Sequence, residues 1–314
     1  MLSGCARHVS QRSPYASPGP YHFTIVEQEW FDASRARTIP VRMYVPVGVA
    51  NPPVVVFSHG TANGRDGYSY LGSHWASHGF LSVHPEHAGA GRDLERKGPL
   101  ANMVADDDPA MRDFYPRDLI FVMQELGRRS PVAGLGGTRV DGSSGNAAHA
   151  TGDRRPVTVA VAGHSMGAYA VLALAGLRVG DVSYADPHVV AGIPISMSED
   201  FPPETYASIS IPLLHITGTN DMSLVYGTLP RHRRVPFESI RGGGDEYLVT
   251  IAGGTHSTPS EDETPENRRA HDVIRASTTA FLDAYLRHDA KAAAWLSGGG
   301  LKEFLADAAT VQRK

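Results

Sequence analysis

The stretch that decides the fold is residues 157–175, which read VTVAVAGHSMGAYAVLALA. Its first six residues form an apolar run that predicts a buried strand, and residues 168–175 favour a helix. Between them stands Gly163-His164-Ser165-Met166-Gly167, in the strand, G-x-S-x-G, helix order of a nucleophile elbow. The glycines leave room for a strained turn that lifts a serine hydroxyl clear of the backbone. The sequence therefore predicts that Ser165 is a nucleophile.

Two later segments predict the partners that this serine needs. A serine hydroxyl is a poor nucleophile at neutral pH, so it requires an imidazole base, which in turn requires a carboxylate to fix its tautomer. The strand pattern at 211–218 leads into Asp221, and the strand pattern at 247–251 leads into His256. Both loops follow the carboxyl ends of strands, where open α/β sheets hold their ligands. We assign Ser165 as nucleophile, Asp221 as orienting acid and His256 as general base.

These assignments have ordinary structural alternatives. Asp221 follows Gly-Thr-Asn and could be a turn residue. His256 is one of 15 histidines, but the Gly-Gly pair just before it and its position after the last predicted strand favour a catalytic role for it. His164 is interpreted as a packing or hydrogen-bonding residue. His215 lies on an otherwise apolar strand, which favours a core histidine.

An early strand predicts the oxyanion hole. Residues 53–60 form a buried strand pattern that runs into a His59-Gly60 turn. One backbone N–H of the hole is expected from Met166, which follows the nucleophile, and the other from Thr61, after the early strand. Backbone donors have no side-chain signature, so this assignment depends on position, and a plain turn is the alternative.

The rest of the chain alternates between strand and helix patterns. Length alone allows two domains, but α/β folds of this size often form one. The alternation predicts an α/β fold with a mostly parallel central sheet and helices on both faces, as one domain over 21–314 behind a flexible lead-in at 1–20. Besides the strands above, strands are predicted at 22–31, 38–45, 80–84 and 189–196, and helices at 68–78 and at 115–127, the latter with Pro116 at its start.

Two long loops stand out. The loop at 133–155 is rich in Gly, Ser, Asn and Thr and is interpreted as a surface insertion. The loop at 86–114 leaves the end of a strand, so it must pass near the catalytic loops, and it either covers the substrate or simply packs. Its apolar side chains are Leu94, Leu100, Met103, Met111 and Phe114.

Composition narrows the class of protein. The chain is 41% hydrophobic and 20% charged, as in average globular domains, and its net charge of −4 argues against nucleic-acid binding. No apolar stretch reaches the length of a membrane span. The cluster His84-Pro85-Glu86-His87 has no partnering ligand set elsewhere, so we expect no metal, and the chemistry above needs no organic cofactor.

The amino terminus leaves the cellular location open. Cys5 is the only cysteine, so the chain can form no internal disulfide. Leu2-Ser3-Gly4-Cys5 matches the lipobox of bacterial lipoproteins, although no basic and apolar leader precedes it here. Either Cys5 is a lipid anchor that follows a longer signal sequence, or the tetrapeptide is accidental, and the location is cytoplasmic, secreted or periplasmic accordingly.

Several stretches resemble the α/β-hydrolase superfamily, within it the branch of dienelactone-hydrolase-like proteins and platelet-activating-factor acetylhydrolases. The loops at Asp221 and His256 also resemble those of polyester-degrading cutinases. Two departures matter: dienelactone hydrolases proper have a cysteine nucleophile, and animal acetylhydrolases carry their acid where Ser196 stands here, which supports Asp221. The resemblance spans roughly residues 20–295 and is carried by 56–60, 71–80, 85–87, 116–118, 163–167 and 281–286.

Residues and resemblance together predict a serine carboxylic-ester hydrolase that forms an acyl-enzyme, acting on a small-molecule or polymer ester and preferring short acyl chains. A polyester hydrolase and a platelet-activating-factor-type acetylhydrolase are the alternatives within this chemistry. A haloperoxidase-like or lyase member of the same fold is another enzyme class. A non-catalytic binding protein is disfavoured, because all three triad candidates are present.

Overall fold

A nine-stranded mixed sheet organises the chain in the computed structural model, which describes residues 13–61, 63–88, 110–129, 157–197, 201–223, 227–260 and 262–314. Its strands are β1 (Phe23–Asp32), β2 (Arg37–Pro46), β3 (Val54–Ser58), β4 (Leu81–Pro85), β5 (Val159–His164), β8 (Val189–Ile195), β9 (Leu213–Asn220), β10 (Glu246–Thr255) and β11 (Ala309–Arg313). The short strands β6 (Arg178–Val179) and β7 (Val182–Ser183) pair separately. The order is β1-β2-β4-β3-β5-β8-β9-β10-β11, and the six strands from β4 to β10 run parallel.

Helices cover both faces of this sheet. They are α1 (Ser69–Ser77), α2 (Met111–Arg128), α3 (Met166–Ala175), α4 (Val235–Ser239), α5 (Arg268–Leu286), α6 (Ala290–Ser297) and α7 (Gly300–Leu305). Side chains alternate along β3, so Val54 and Val56 join the core under α2 and α3, while Val55 and Phe57 join the core under α1 and α5. Strands buried on both faces read as continuous apolar runs. The predicted α/β fold with a mostly parallel sheet is confirmed.

The helix predicted at 115–127 begins earlier than its sequence pattern indicates. It starts at Met111, and the amides of Asp113 and Phe114 both donate to the carbonyl of Ala110. Pro116 therefore lies inside the helix rather than at its start, so that prediction was wrong. The burial of Met111 and Tyr115 against the sheet explains the extra turn, because packing outweighs the hydrogen bond that a proline cannot donate.

Several sequence expectations lie wholly or partly outside the described residues. The loop at 133–155, the lipobox with Cys5, and Leu94, Leu100 and Met103 are all in this group. Of the loop at 86–114, the structure describes the two ends. In the first turn of α2, Met111 is buried and Phe114 is exposed. Within the described ranges, no helix is long and apolar enough to cross a membrane.

Candidate active site

Ser165 occupies a strained turn between β5 and α3. Its φ of 55° and ψ of −118° are unusual for a residue with a Cβ atom. Its amide donates to the carbonyl of Ile195 at 2.9 Å, and its carbonyl accepts from Ala168 and Tyr169, which begins the helix. These bonds hold the backbone on both sides, so the serine side chain stands at the carboxyl end of the sheet.

The two glycines of the pentapeptide are required by close backbone approach. A Cβ atom on Gly163 would lie 2.4 Å from the carbonyl oxygen of Gly167 and 2.9 Å from that of Ser58. A Cβ atom on Gly167 would lie 2.0 Å from the same Ser58 oxygen. All three distances are shorter than the contacts that real Cβ atoms make, so a side chain at either position would push the turn away from the end of β3.

The structure brings Ser165, His256 and Asp221 into one hydrogen-bonded chain. The Nε2 atom of His256 lies 3.0 Å from Oγ of Ser165, and its Nδ1 atom lies 3.0 Å from Oδ1 of Asp221. A carboxylate can only accept, so Nδ1 carries the proton and Nε2 of the neutral ring is free to accept the serine proton. Asp221 follows β9 and His256 follows β10, as the sequence predicts.

Asp221 is held ionised by His256 and by a buried arginine that no sequence pattern marks. Burial alone would raise the pKa of the Asp221 carboxyl, but the hydrogen bond from His256 and the charge of Arg233 outweigh it and lower that pKa. The Nε atom of Arg233 lies 3.1 Å from Oδ1, and the Thr217 hydroxyl donates to Oδ2 at 2.7 Å. Arg233 also donates to the carbonyl of Met197. This bond ties the segment that follows β9 and begins at Asp221, which we call the acid loop, to the end of β8.

His164 holds the backbone of the candidate base. Its Nε2 atom donates to the carbonyl of His256 at 2.9 Å, so Nδ1 of the neutral ring accepts from the Tyr68 hydroxyl at 2.6 Å. Burial, followed by the neighbouring His256, lowers the pKa of His164 to about 3, which keeps the ring neutral. This contact agrees with the hydrogen-bonding interpretation of His164.

The turn after β3 packs against Ser165. A Cβ atom on Gly60 would lie 3.3 Å from Cβ of Ser165, and Thr61, the next residue, is buried. Met166 is the first residue of α3, so its N–H is one of those at the start of a helix that make no hydrogen bond within the helix. The turn that carries Thr61 and the amide of Met166 therefore both adjoin Ser165, an arrangement that an oxyanion hole requires.

The other histidines singled out from the sequence lie elsewhere. His215 is buried and its Nε2 atom pairs with Glu246 at 2.9 Å, as a core histidine would. His84 bonds to Ser82, whereas His87 bonds to Ser58 and Asp118, so the two side chains of the His-Pro-Glu-His cluster have different partners. Across the part of the chain that the structure describes, no group of three or more His, Cys, Asp or Glu side chains could hold a metal ion.

Comparison with known families gives a match to an early segment of the chain. Residues 39–93 match the family described as platelet-activating factor acetylhydrolase, isoform II. The matched segment includes most of β2, all of β3, the turn that carries Thr61, α1 and β4, and it ends before the elbow. A search of curated proteins found no match to the chain. The match confirms the resemblance to these acetylhydrolases over this segment and supports a serine esterase or lipase type of hydrolase.

Proposed function

We propose that this protein hydrolyses carboxylic esters through a catalytic triad of Ser165, His256 and Asp221. The observation that carries the proposal is the pair of 3.0 Å contacts that join the three side chains, with the serine on a strained strand-to-helix turn. The family match over residues 39–93 supports the same class of chemistry independently, because that segment contains none of the three residues.

The proposed reaction passes through an acyl-enzyme. Oγ of Ser165 attacks the ester carbonyl carbon while Nε2 of His256 takes the hydroxyl proton. The backbone N–H groups of Thr61 and Met166 stabilise the resulting oxyanion, each contributing about 2.7–4 kcal/mol. His256 then gives its proton to the departing alkoxide as the C–O bond breaks. Water, deprotonated by His256, attacks the acyl-serine, and the carboxylic acid leaves as Ser165 recovers its proton.

Asp221 supports both halves of this cycle electrostatically. Its lowered pKa keeps it negative at neutral pH, so it fixes the Nδ1–H tautomer of His256 and stabilises the imidazolium that forms in each transition state. The carboxylate does not take the proton itself. The Thr217 hydroxyl donates to the second carboxylate oxygen and so restrains rotation of the group.

We further propose a preference for short acyl chains. The name of the matched family, an acetylhydrolase, refers to a two-carbon acyl group, and this favours platelet-activating factor as a second candidate substrate. In a closed acyl pocket, each added CH₂ group would strengthen substrate binding by about 0.8 kcal/mol until the pocket is full, and longer chains would then be excluded. A polyester substrate would instead require an open groove.

The test uses purified protein and a series of p-nitrophenyl esters from acetate to laurate, with platelet-activating factor and a polyester film as further substrates. We expect labelling of Ser165 by a fluorophosphonate and the highest kcat/KM between two and six acyl carbons. Absence of both hydrolysis and labelling would overturn the proposed chemistry. Undiminished activity on long chains or on the polyester would overturn only the short-chain preference.

A further inference from the structure

A buried histidine next to the nucleophile holds the turn that carries Thr61. His59 follows β3, and its Nδ1 atom lies 2.8 Å from the carbonyl oxygen of Gly60. Its Nε2 atom lies 3.1 Å from the backbone nitrogen of His87. A carbonyl accepts and an amide donates, so only the neutral tautomer with the proton on Nδ1 satisfies both contacts. Burial, with the adjacent His87, lowers the pKa of His59 well below its ordinary value and keeps it in that form.

The contact to Gly60 also fixes the direction of the next amide. The carbonyl of Gly60 and the N–H of Thr61 belong to one planar trans peptide group, so they point in opposite directions. The Gly60 oxygen is held from one side by His59 and by the amide of Asn63 at 3.0 Å. The Thr61 N–H must therefore point away from these two donors. Gly60 itself lies against Cβ of Ser165.

His87, which contacts His59, belongs to a second hydrogen-bonded Ser-His-Asp set. The Ser58 hydroxyl contacts Nε2 of His87 at 2.8 Å, and Nδ1 of His87 contacts Oδ2 of Asp118 at 2.9 Å. All three side chains are fully buried, so no substrate reaches Ser58. Arg35 and Arg37 both donate to Oδ1 of Asp118, at 2.7 and 2.8 Å. This set fixes His87, whose backbone amide in turn holds His59.

We infer that His59 is a positioning residue for the oxyanion hole: by holding the Gly60 carbonyl it aims the Thr61 N–H at the charge that develops beside Ser165. The inference rests on the proposed ester hydrolysis. A donor aimed at the oxyanion acts in the transition state more than in the ground state, so misdirecting it lowers kcat and leaves KM nearly unchanged.

Two substitutions at His59 distinguish the roles of its two ring nitrogens. The amide nitrogen of asparagine comes near the position of Nδ1, so His59→Asn retains a donor for the Gly60 carbonyl. The longer glutamine side chain places its amide near Nε2 instead, so His59→Gln loses that donor. His84→Gln is the matched control, because His84 is a buried, neutral histidine on β4 whose Nε2 bonds to Ser82 rather than to the turn.

The experiment measures kcat, KM, the affinity for a phosphonate transition-state analogue and the thermal midpoint of each variant. We expect His59→Gln to lower kcat and analogue affinity by roughly 10- to 100-fold with KM within about threefold, since a lost oxyanion donor costs about 10²–10³. His59→Asn should retain at least about a third of wild-type kcat, and His84→Gln should change stability alone.

Equal losses of kcat in His59→Asn and His59→Gln, or losses matched by His84→Gln, would overturn the inference while the proposed function stands. If His59→Gln does not fold, His59→Asn alone decides, because the inference requires it to stay active. A wild-type protein that neither hydrolyses esters nor reacts with a fluorophosphonate would overturn the proposed function, and this inference with it.

Discussion

The guanidinium of Arg233 and the carboxylate of Asp221 meet at 3.1 Å, on the same oxygen atom that accepts the hydrogen bond from His256. Both side chains are fully buried, so solvent screens this pair very little. Moving a charge pair out of water costs solvation free energy. Removing one partner of the buried pair lowers the stability of the fold even more, because the other charge stays buried without compensation. The site therefore depends on Arg233 both for the fold of the acid loop and for the charge felt by the imidazole.

The first prediction concerns this pair. Arg233→Gln should lower the free energy of unfolding by about 3–5 kcal/mol, because it leaves the Asp221 charge without its buried partner. In protein that remains folded, the acid limb of the kcat/KM profile should move to higher pH, since a positive charge near the imidazole has been removed. Urea denaturation and a pH–rate profile measure the two effects.

Arg234→Gln is the matched control for Arg233→Gln. Arg234 is the next residue, and it pairs with Glu238 at a partly exposed site, where an ion pair contributes about 0–1 kcal/mol. An Arg233→Gln protein as stable as the Arg234→Gln protein, with an unchanged pH profile, would contradict this account of the acid loop.

A second prediction separates the chemistry of Ser165 from its backbone strain. Ser165→Ala and Ser165→Gly should both abolish ester hydrolysis and fluorophosphonate labelling, because neither has a nucleophile. Their stabilities should differ. Only glycine adopts a φ of 55° and ψ of −118° without steric strain, so the glycine variant should be more stable than the alanine variant by about 1 kcal/mol. Denaturation of the two proteins side by side tests this. An alanine variant more stable than the glycine variant by about 0.4–1 kcal/mol, the difference expected from chain entropy alone, would show that the turn is not strained.

A third prediction concerns the identity of the acid. Asp221→Asn should lower kcat by about 10⁴-fold, because an amide at this position favours the wrong imidazole tautomer. KM should change little, and labelling of Ser165 should slow in parallel with kcat. The competing positions are Glu199 and Asp200, which follow β8 and lie outside the described residues. A nearly silent Asp221→Asn together with inactive Glu199→Gln or Asp200→Asn proteins would move the acid to that loop.

The parts of the site that the sequence predicts are those set by local order along the chain. Ser165, Asp221 and His256 each follow a strand pattern within a few residues, and the ends of parallel strands meet at one edge of the sheet. Their mutual contact then follows from the fold class. The central strands were predicted for a related reason, since strands buried on both faces leave continuous apolar runs in the sequence.

The supporting residues could not be predicted because their roles arise from contacts distant in sequence. Tyr68 reaches His164 across 96 positions, and nothing local marks it. Arg233 lies in the run Arg231-His232-Arg233-Arg234, which resembles an exposed basic segment, and only tertiary packing buries one member of it. Strand β11 was missed for a similar reason: its five residues mix apolar and polar side chains over too short a length to mark a strand, and they become one by pairing with β10.

The last prediction follows from the histidines that the fold buries without charge. Burial lowers the pKa of His74, His84 and His164 to about 3 each, against about 6.5 in an unfolded chain. Between those values the unfolded chain binds protons that the folded protein does not. Stability should therefore be fully present above about pH 6.5 and fall as the pH drops toward 3, by up to about 1.4 kcal/mol per pH unit for each such histidine. The free energy of unfolding, measured by urea denaturation at pH 7, 6, 5 and 4, checks the slope.

His84→Gln removes one of these groups. The slope of its stability with pH should therefore be smaller by the contribution of one proton, even if the variant is less stable at pH 7. A stability that stays flat from pH 7 to 4 would show that these rings take up protons in the folded protein as readily as in the unfolded chain. A slope unchanged by His84→Gln would show the same for His84 alone.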